Sequence, residues 1–194
     1  MIQKMGQLGV LKNSYLLLLL VLFACNSNQS PRLDKNIPDI LEQIITPNFN
    51  QDSAYAYINN QVTFGPRVPN SLAHENCYQY LANSLERFGA HVITQRALVK
   101  RYDGEKLAMK NIIGSYNPNN HNRVLLCAHW DSRFIADNDT NNMDQPILGA
   151  NDGGSGVGVL LEIARQIYLN PINFGVDIIF FDTEDQGQPS SAMI

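Results

Sequence analysis

Arg123-Val124-Leu125-Leu126-Cys127-Ala128 and, further on, Val176-Asp177-Ile178-Ile179-Phe180-Phe181 are the two stretches that decide the fold. Each is a short apolar run bounded by polar residues, the pattern of a strand buried on both faces. Between them Val157, Leu160, Leu161, Ala164 and Tyr168 recur mostly at steps of three and four. That spacing predicts an amphipathic helix, ended by Asn170-Pro171. Strand, helix, strand in this order is a βαβ unit with a parallel pair. Ligands of such sheets sit beyond the carboxyl ends of the strands.

Working upstream, Cys77, Leu81, Leu85 and Phe88 fall on one helical face, and Gly89 supplies the stop. His91 to Gln95 and Met109 to Ser115 suit strands, with Asn117-Pro118-Asn119-Asn120 as a turn. Ser53 to Val62 is a candidate short helix, broken by Gly65-Pro66-Arg67-Val68-Pro69. The predicted fold is α/β, with a mixed, mainly parallel central sheet and helices on both faces.

The 194 residues are 44% hydrophobic and 16% charged, which suits one globular domain with a real core. A net charge of −4 with scattered basic residues argues against a nucleic-acid surface. At the N-terminus, Lys4 and Lys12 precede an apolar run from Tyr15 to Ala24. A membrane span needs about 20 apolar residues, so this run reads as an export signal. Leu22-Phe23-Ala24-Cys25 resembles the lipobox of bacterial lipoproteins, which implies a lipidated Cys25 and a place in the bacterial cell envelope, periplasmic or at the outer surface. The polar stretch Asn26 to Ser30 reads as a tether. The expected division is residues 1–24 signal peptide, 25–50 lipidated cysteine and irregular tether, and 51–194 catalytic-type domain. Cys77 and Cys127 read as two buried thiols, with a disulfide between them left open.

Chemistry concentrates at the strand ends. The first strand runs into His129-Trp130-Asp131-Ser132, the second into Asp182-Thr183-Glu184-Asp185, and Gly149-Ala150-Asn151-Asp152-Gly153-Gly154 opens the helix between them. Imidazole and carboxylates meeting on one sheet edge are the donors a borderline cation such as zinc takes. Plainer alternatives stand beside this: Asp152 as a helix cap, His129 as a hydrogen-bonded core histidine, the acidic triplet as a solvated loop. Gly154-Ser155-Gly156-Val157-Gly158 has neither dinucleotide nor P-loop spacing, which argues against nucleotide binding.

Taken together, Gly65 to Pro69, Ala128-His129-Trp130-Asp131-Ser132-Arg133, Gly149 to Gly156 and Phe180 to Asp185 resemble the glutaminyl cyclases and the related zinc aminopeptidases, from about Asn59 to Gly187. The resemblance implies Asp152 and Asp185 as zinc ligands and Glu184 as the proton shuttle. It implies Asp131 as a support behind the site, and His129 as a ligand only if a second zinc is bound. The implied reaction is cyclisation of an N-terminal Gln of peptides or proteins to pyroglutamate with release of ammonia. Hydrolysis of peptide N-termini by a zinc aminopeptidase is the alternative. Arg67 lies in a shared motif without an assigned role, an ion pair at the surface or a turn-stabilising hydrogen bond being the modest reading. The family also implies further strands and a distal His ligand, yet none of His74, His91, His121 and His129 follows Asp185. The chain therefore reads as incomplete at the C-terminus, and the strand from Val176 to Phe181 is expected to lack neighbours on one side. An inactive family member, or a peptide-binding lipoprotein, is the remaining reading.

Overall fold

The computed structural model describes residues 46–189. Cys25, its signal and its tether lie outside them. Three helices and four strands follow in the order α1 (Gln51–Thr63), α2 (Leu72–Arg87), β1 (His91–Lys100), β2 (Lys106–Tyr116), β3 (Arg123–His129), α3 (Gly154–Leu169) and β4 (Gly175–Phe181).

The helix starts follow from capping chemistry. Asn50 Oδ1 accepts from the Ser53 amide at 2.9 Å and Ser71 Oγ from the His74 amide at 3.1 Å, satisfying N–H groups that a first turn leaves unpaired. After α2, Gly89 takes a φ of +80°, which reverses the chain where the sequence predicts a stop. Cys77, Leu81 and Leu85 are fully buried along this helix, as their spacing requires. No helix of the described residues is long and apolar enough to cross a membrane.

The sheet order is β1-β2-β4-β3. β3 and β4 pair in parallel, with Ala128 beside Phe180 and His129 beside Phe181, as the βαβ reading predicts. β1 and β2 form an antiparallel hairpin, and β2 also runs antiparallel to β4. The sheet is therefore mixed, but β3–β4 is the single parallel pair among the described residues. The hairpin strands are also longer than their β-branched centres suggest, because the pairing continues through Lys100 and Lys106.

Several expectations change. β4 is flanked on both sides, because Ile112 to Tyr116 of β2 pair with Val176 to Phe180. The exposed edge belongs instead to β3, where Val124 is 46% and Leu125 58% accessible. Continuous apolarity predicts burial on both faces, but burial needs a neighbour, and β3 pairs only with β4 among the described residues. The helices likewise gather on one face. Ile112, Tyr116, Val176, Ile178 and Phe180 join Leu81, Leu85, Val157 and Leu161 in a single core, while Leu125 and Phe181 of the opposite face remain exposed. Tyr168, expected on the apolar face of α3, is exposed too, because it lies at the solvent end of that helix. Both cysteines of the described residues are free thiols. Cys77 is buried, and burial pushes its thiol up to about 12, whereas Cys127 is exposed on the open face rather than buried.

Candidate metal and catalytic site

The parallel pair places two strand ends side by side, and the chain beyond each of them builds the site. Trp130 N donates to Phe181 O at 2.9 Å, carrying the ladder one step past β3. Asp131 follows, fully buried. Its two oxygens accept the amides of Glu184 at 3.2 Å and Asp185 at 3.1 Å, and Gln186 Nε2 at 3.0 Å. One carboxylate thus fixes the backbone of two successive residues and the side chain of the third on the neighbouring loop. Asp131 is the residue for which the resemblance implies a support behind the site.

Asp152 does not cap α3. The cap is Gly153, with no side-chain bond, and Asp152 Oδ1 instead meets His129 Nε2 at 2.9 Å. Gly153, at φ +82°, brings its backbone so close that a Cβ there would lie 2.8 Å from Asp131 O and 3.1 Å from His129 Cε1. The helix start is therefore pressed against the His129–Asp131 segment. His129 Nδ1 lies 3.6 Å from Asp131 Oδ1 and 3.7 Å from Glu184 Oε2, too far to hydrogen-bond. Asp131, then Glu184 and Asp152, draw the imidazole pKa up to about 9.

Asp185 is mostly buried, and its Oδ2 has no hydrogen-bond partner. Burial, then the charges of Asp152 and Asp131, push its carboxyl up to about 6, against the opposing pull of Arg133 and His129. Arg133, anchored on Asp137 at 2.7 and 2.8 Å, stands 3.4 Å from Asp185 Oδ1. A carboxyl pushed up by its acidic neighbours, and a buried carboxylate oxygen with no donor, are relieved when a cation joins them. The carboxylates of Asp152 and Asp185 therefore fit a divalent metal that takes oxygen ligands. Among the described residues no group of three or more His, Cys, Asp or Glu side chains is gathered for metal binding.

Glu184 stays largely in solvent, its side chain 63% accessible. It borders a groove of about 340 Å³ lined also by Tyr102, Leu107, Thr183 and Gln186. The third carboxylate of the triplet behaves differently. Asp182 turns into the core and meets His74, so the acidic loop is not one solvated cluster. Thr183, between the two environments, holds a φ of +65°. A β-branched residue in that region costs about 1–3 kcal/mol.

Arg67 is no surface residue. It is fully buried, donating to Trp130 O at 2.9 Å, Leu148 O at 2.7 Å and Gly149 O at 2.7 Å. Burial lowers its pKa, with Asp131 among the charges opposing that. Gly149 takes φ +60° where a Cβ would sit 2.9 Å from Arg67 Nη2. One guanidinium thereby ties the His129–Asp131 segment to the loop that carries Asp152. His74 and Gln186 are further residues that motif reading missed. His74 lies three residues before Cys77 and seven before Leu81, on the buried face, where a polar ring must find a partner.

Residues 111–193 match peptidase family M28. Among solved structures, the chain is 57% identical to Tannerella forsythia glutaminyl cyclase, with a TM-score of 0.74, over 75% of this chain and 51% of that one. It is 59% identical to a Zn-dependent exopeptidase from Parabacteroides distasonis, with a TM-score of 0.73, over 74% of this chain and 50% of the other. Bacteroides thetaiotaomicron glutaminyl cyclase bound to N-acetylhistamine is 55% identical, with a TM-score of 0.73, over 74% and 50%. The chain thus spans about half the length of the structures it matches. These similarities bear out the resemblance to the glutaminyl cyclase-like branch of the zinc aminopeptidase superfamily.

Proposed function

We propose that the protein is a zinc-dependent glutaminyl-peptide cyclotransferase acting on peptides or proteins with an N-terminal Gln. The observation that carries this reading is Glu184, a carboxylate at the edge of an open groove whose backbone the buried Asp131 holds beside Asp152 and Asp185. The identity of 55–57% to two glutaminyl cyclases supports it.

Asp152 and Asp185 would hold the metal. Bound there, zinc supplies the positive charge that polarises the amide carbonyl of the Gln side chain. The substrate's own α-amine attacks that carbon, a C–N bond forms to close the ring, and the bond to the amide nitrogen breaks. Glu184 takes the proton that the amine loses and returns it to the departing ammonia. Because the nucleophile and the electrophile belong to one residue, holding them in the groove supplies much of the rate. His129, hydrogen-bonded to Asp152, orients that carboxylate.

The Zn-dependent exopeptidase among the similar structures keeps aminopeptidase activity as a second reading. There His129 would ligate a second metal, and Glu184 would act on a water. Metal analysis of the purified protein separates the two. One zinc per chain supports the cyclotransferase, and two support the peptidase.

We also propose that Cys25 is lipidated and holds the protein at the cell envelope, as the lipobox-like Leu22-Phe23-Ala24-Cys25 suggests. Replacing Cys25→Ala should move the protein from the membrane to the soluble fraction and abolish labelling by radioactive fatty acid. Unchanged labelling would place the lipid elsewhere.

A further inference from the structure

The Asp182 carboxylate is buried, and three donors reach it. His74 Nε2 lies 3.0 Å from both oxygens, the Lys110 amide 2.7 Å from Oδ2 and the Thr183 amide 2.8 Å from Oδ1. The Asp182 amide in turn donates to Asn111 Oδ1 at 2.8 Å. His74 is equally fixed. The cap of α2 holds its backbone, and its ring stacks on Trp130 with centroids 4.2 Å apart and planes 19° from parallel. Trp130 Nε1 donates to Lys110 O at 3.2 Å, closing the network onto β2. Replacing a buried ion pair by apolar groups is often neutral or stabilising, so a general gain in core stability does not account for this carboxylate. What the carboxylate provides here is a fixed acceptor for the amide of Thr183, the residue at φ +65° directly before Glu184.

We propose that His74 and Asp182 are positioning residues that clamp Thr183 in its left-handed conformation and thereby direct Glu184 into the groove. The clamp joins α2 and β2, remote in sequence, to the loop after β4. Asp131 fixes the Glu184 amide, so the successive amides of Thr183 and Glu184 are each held by a buried carboxylate. The inference rests on Glu184 being the proton carrier.

The test compares the parent protein with His74→Leu, His74→Gln and Asp182→Asn. Cyclisation of a peptide with N-terminal Gln is measured together with amide hydrogen exchange of residues 183–186. In His74→Leu and Asp182→Asn, kcat should fall about tenfold or more with KM within about threefold, since Glu184 is misdirected while the groove persists. Exchange at 183–186 should rise about tenfold while the buried turns of α2 stay protected. His74→Gln, whose amide N–H can replace the ring donor, should retain most of both properties. If His74→Leu fails to fold, Asp182→Asn, of unchanged shape, decides the matter. Unchanged exchange at 183–186 in the variants that fold, or a Gln variant as impaired as the Leu variant, overturns the proposal. A parent without turnover refutes the catalytic reading of Glu184, and the exchange data then decide the clamp alone.

Discussion

Glu184→Gln should abolish cyclisation while leaving zinc content and fold intact. The carboxylate lines the groove, is largely solvent-facing and directly precedes Asp185, and its amide is held by Asp131. The amide side chain keeps the shape and loses the basic oxygen, so neither the attacking amine nor the departing ammonia has a proton carrier. General acid–base catalysis contributes about 10²- to 10⁴-fold, and the loss in kcat should lie in that range. Its solvent exposure keeps the stability change within about 0.5 kcal/mol. Rate assays beside zinc analysis and a melting curve check all three. A variant that turns over at the parent rate removes Glu184 from the mechanism.

Arg67→Met should have the largest effect on stability. The side chain fits the volume but withdraws the donors from Trp130 O, Leu148 O and Gly149 O. All three carbonyls lose the Arg67 donor, and Gly149 O alone of the three keeps another, the Gly154 amide at 3.1 Å. At about 1–3 kcal/mol for an unsatisfied buried group, the stranded Trp130 O sets a loss of roughly 1–3 kcal/mol, because Leu148 is half exposed and its carbonyl can turn to water. Against a total stability of about 5–15 kcal/mol, that is a large fraction. Arg67→Lys should recover only part of it, because a single ammonium cannot reach carbonyls on separate segments as the planar fork does. Urea denaturation should show the midpoint falling in the order parent, Lys, Met with the slope unchanged. Coincident midpoints would mean that the three hydrogen bonds contribute nothing net. The same variants should bind zinc more weakly, since Arg67 fixes the turn that carries Asp152.

Much of this arrangement was legible because it rests on local patterns. The periodicity of α2, the parallel pairing of β3 and β4 and the placing of His129, Asp131, Asp152 and Glu184 at neighbouring strand ends all follow from spacing and from where apolar runs stop. What sequence could not supply is which way a polar side chain turns once its strand has ended. Asp182 and Asp185 stand in one acidic run, yet Asp182 faces His74 in the core while Asp185 lies near Arg133 with one oxygen unpartnered. Arg67 read as a turn or surface residue because nothing local reveals that loops 63 and more residues away bring carbonyls to it. The edge position of β3 was illegible for a related reason: an apolar strand predicts burial, and burial is a property of neighbours.

The central claim is the reaction itself, and product analysis tests it most directly. Two peptides identical except for Gln or Leu at the first position are incubated with the zinc-loaded protein, and products are read by mass spectrometry with an ammonia assay. The account predicts that the Gln peptide loses one ammonia without shortening and that the Leu peptide is unchanged. Release of free Leu or Gln, with shortened peptides and no ammonia, would contradict it and make the protein an aminopeptidase.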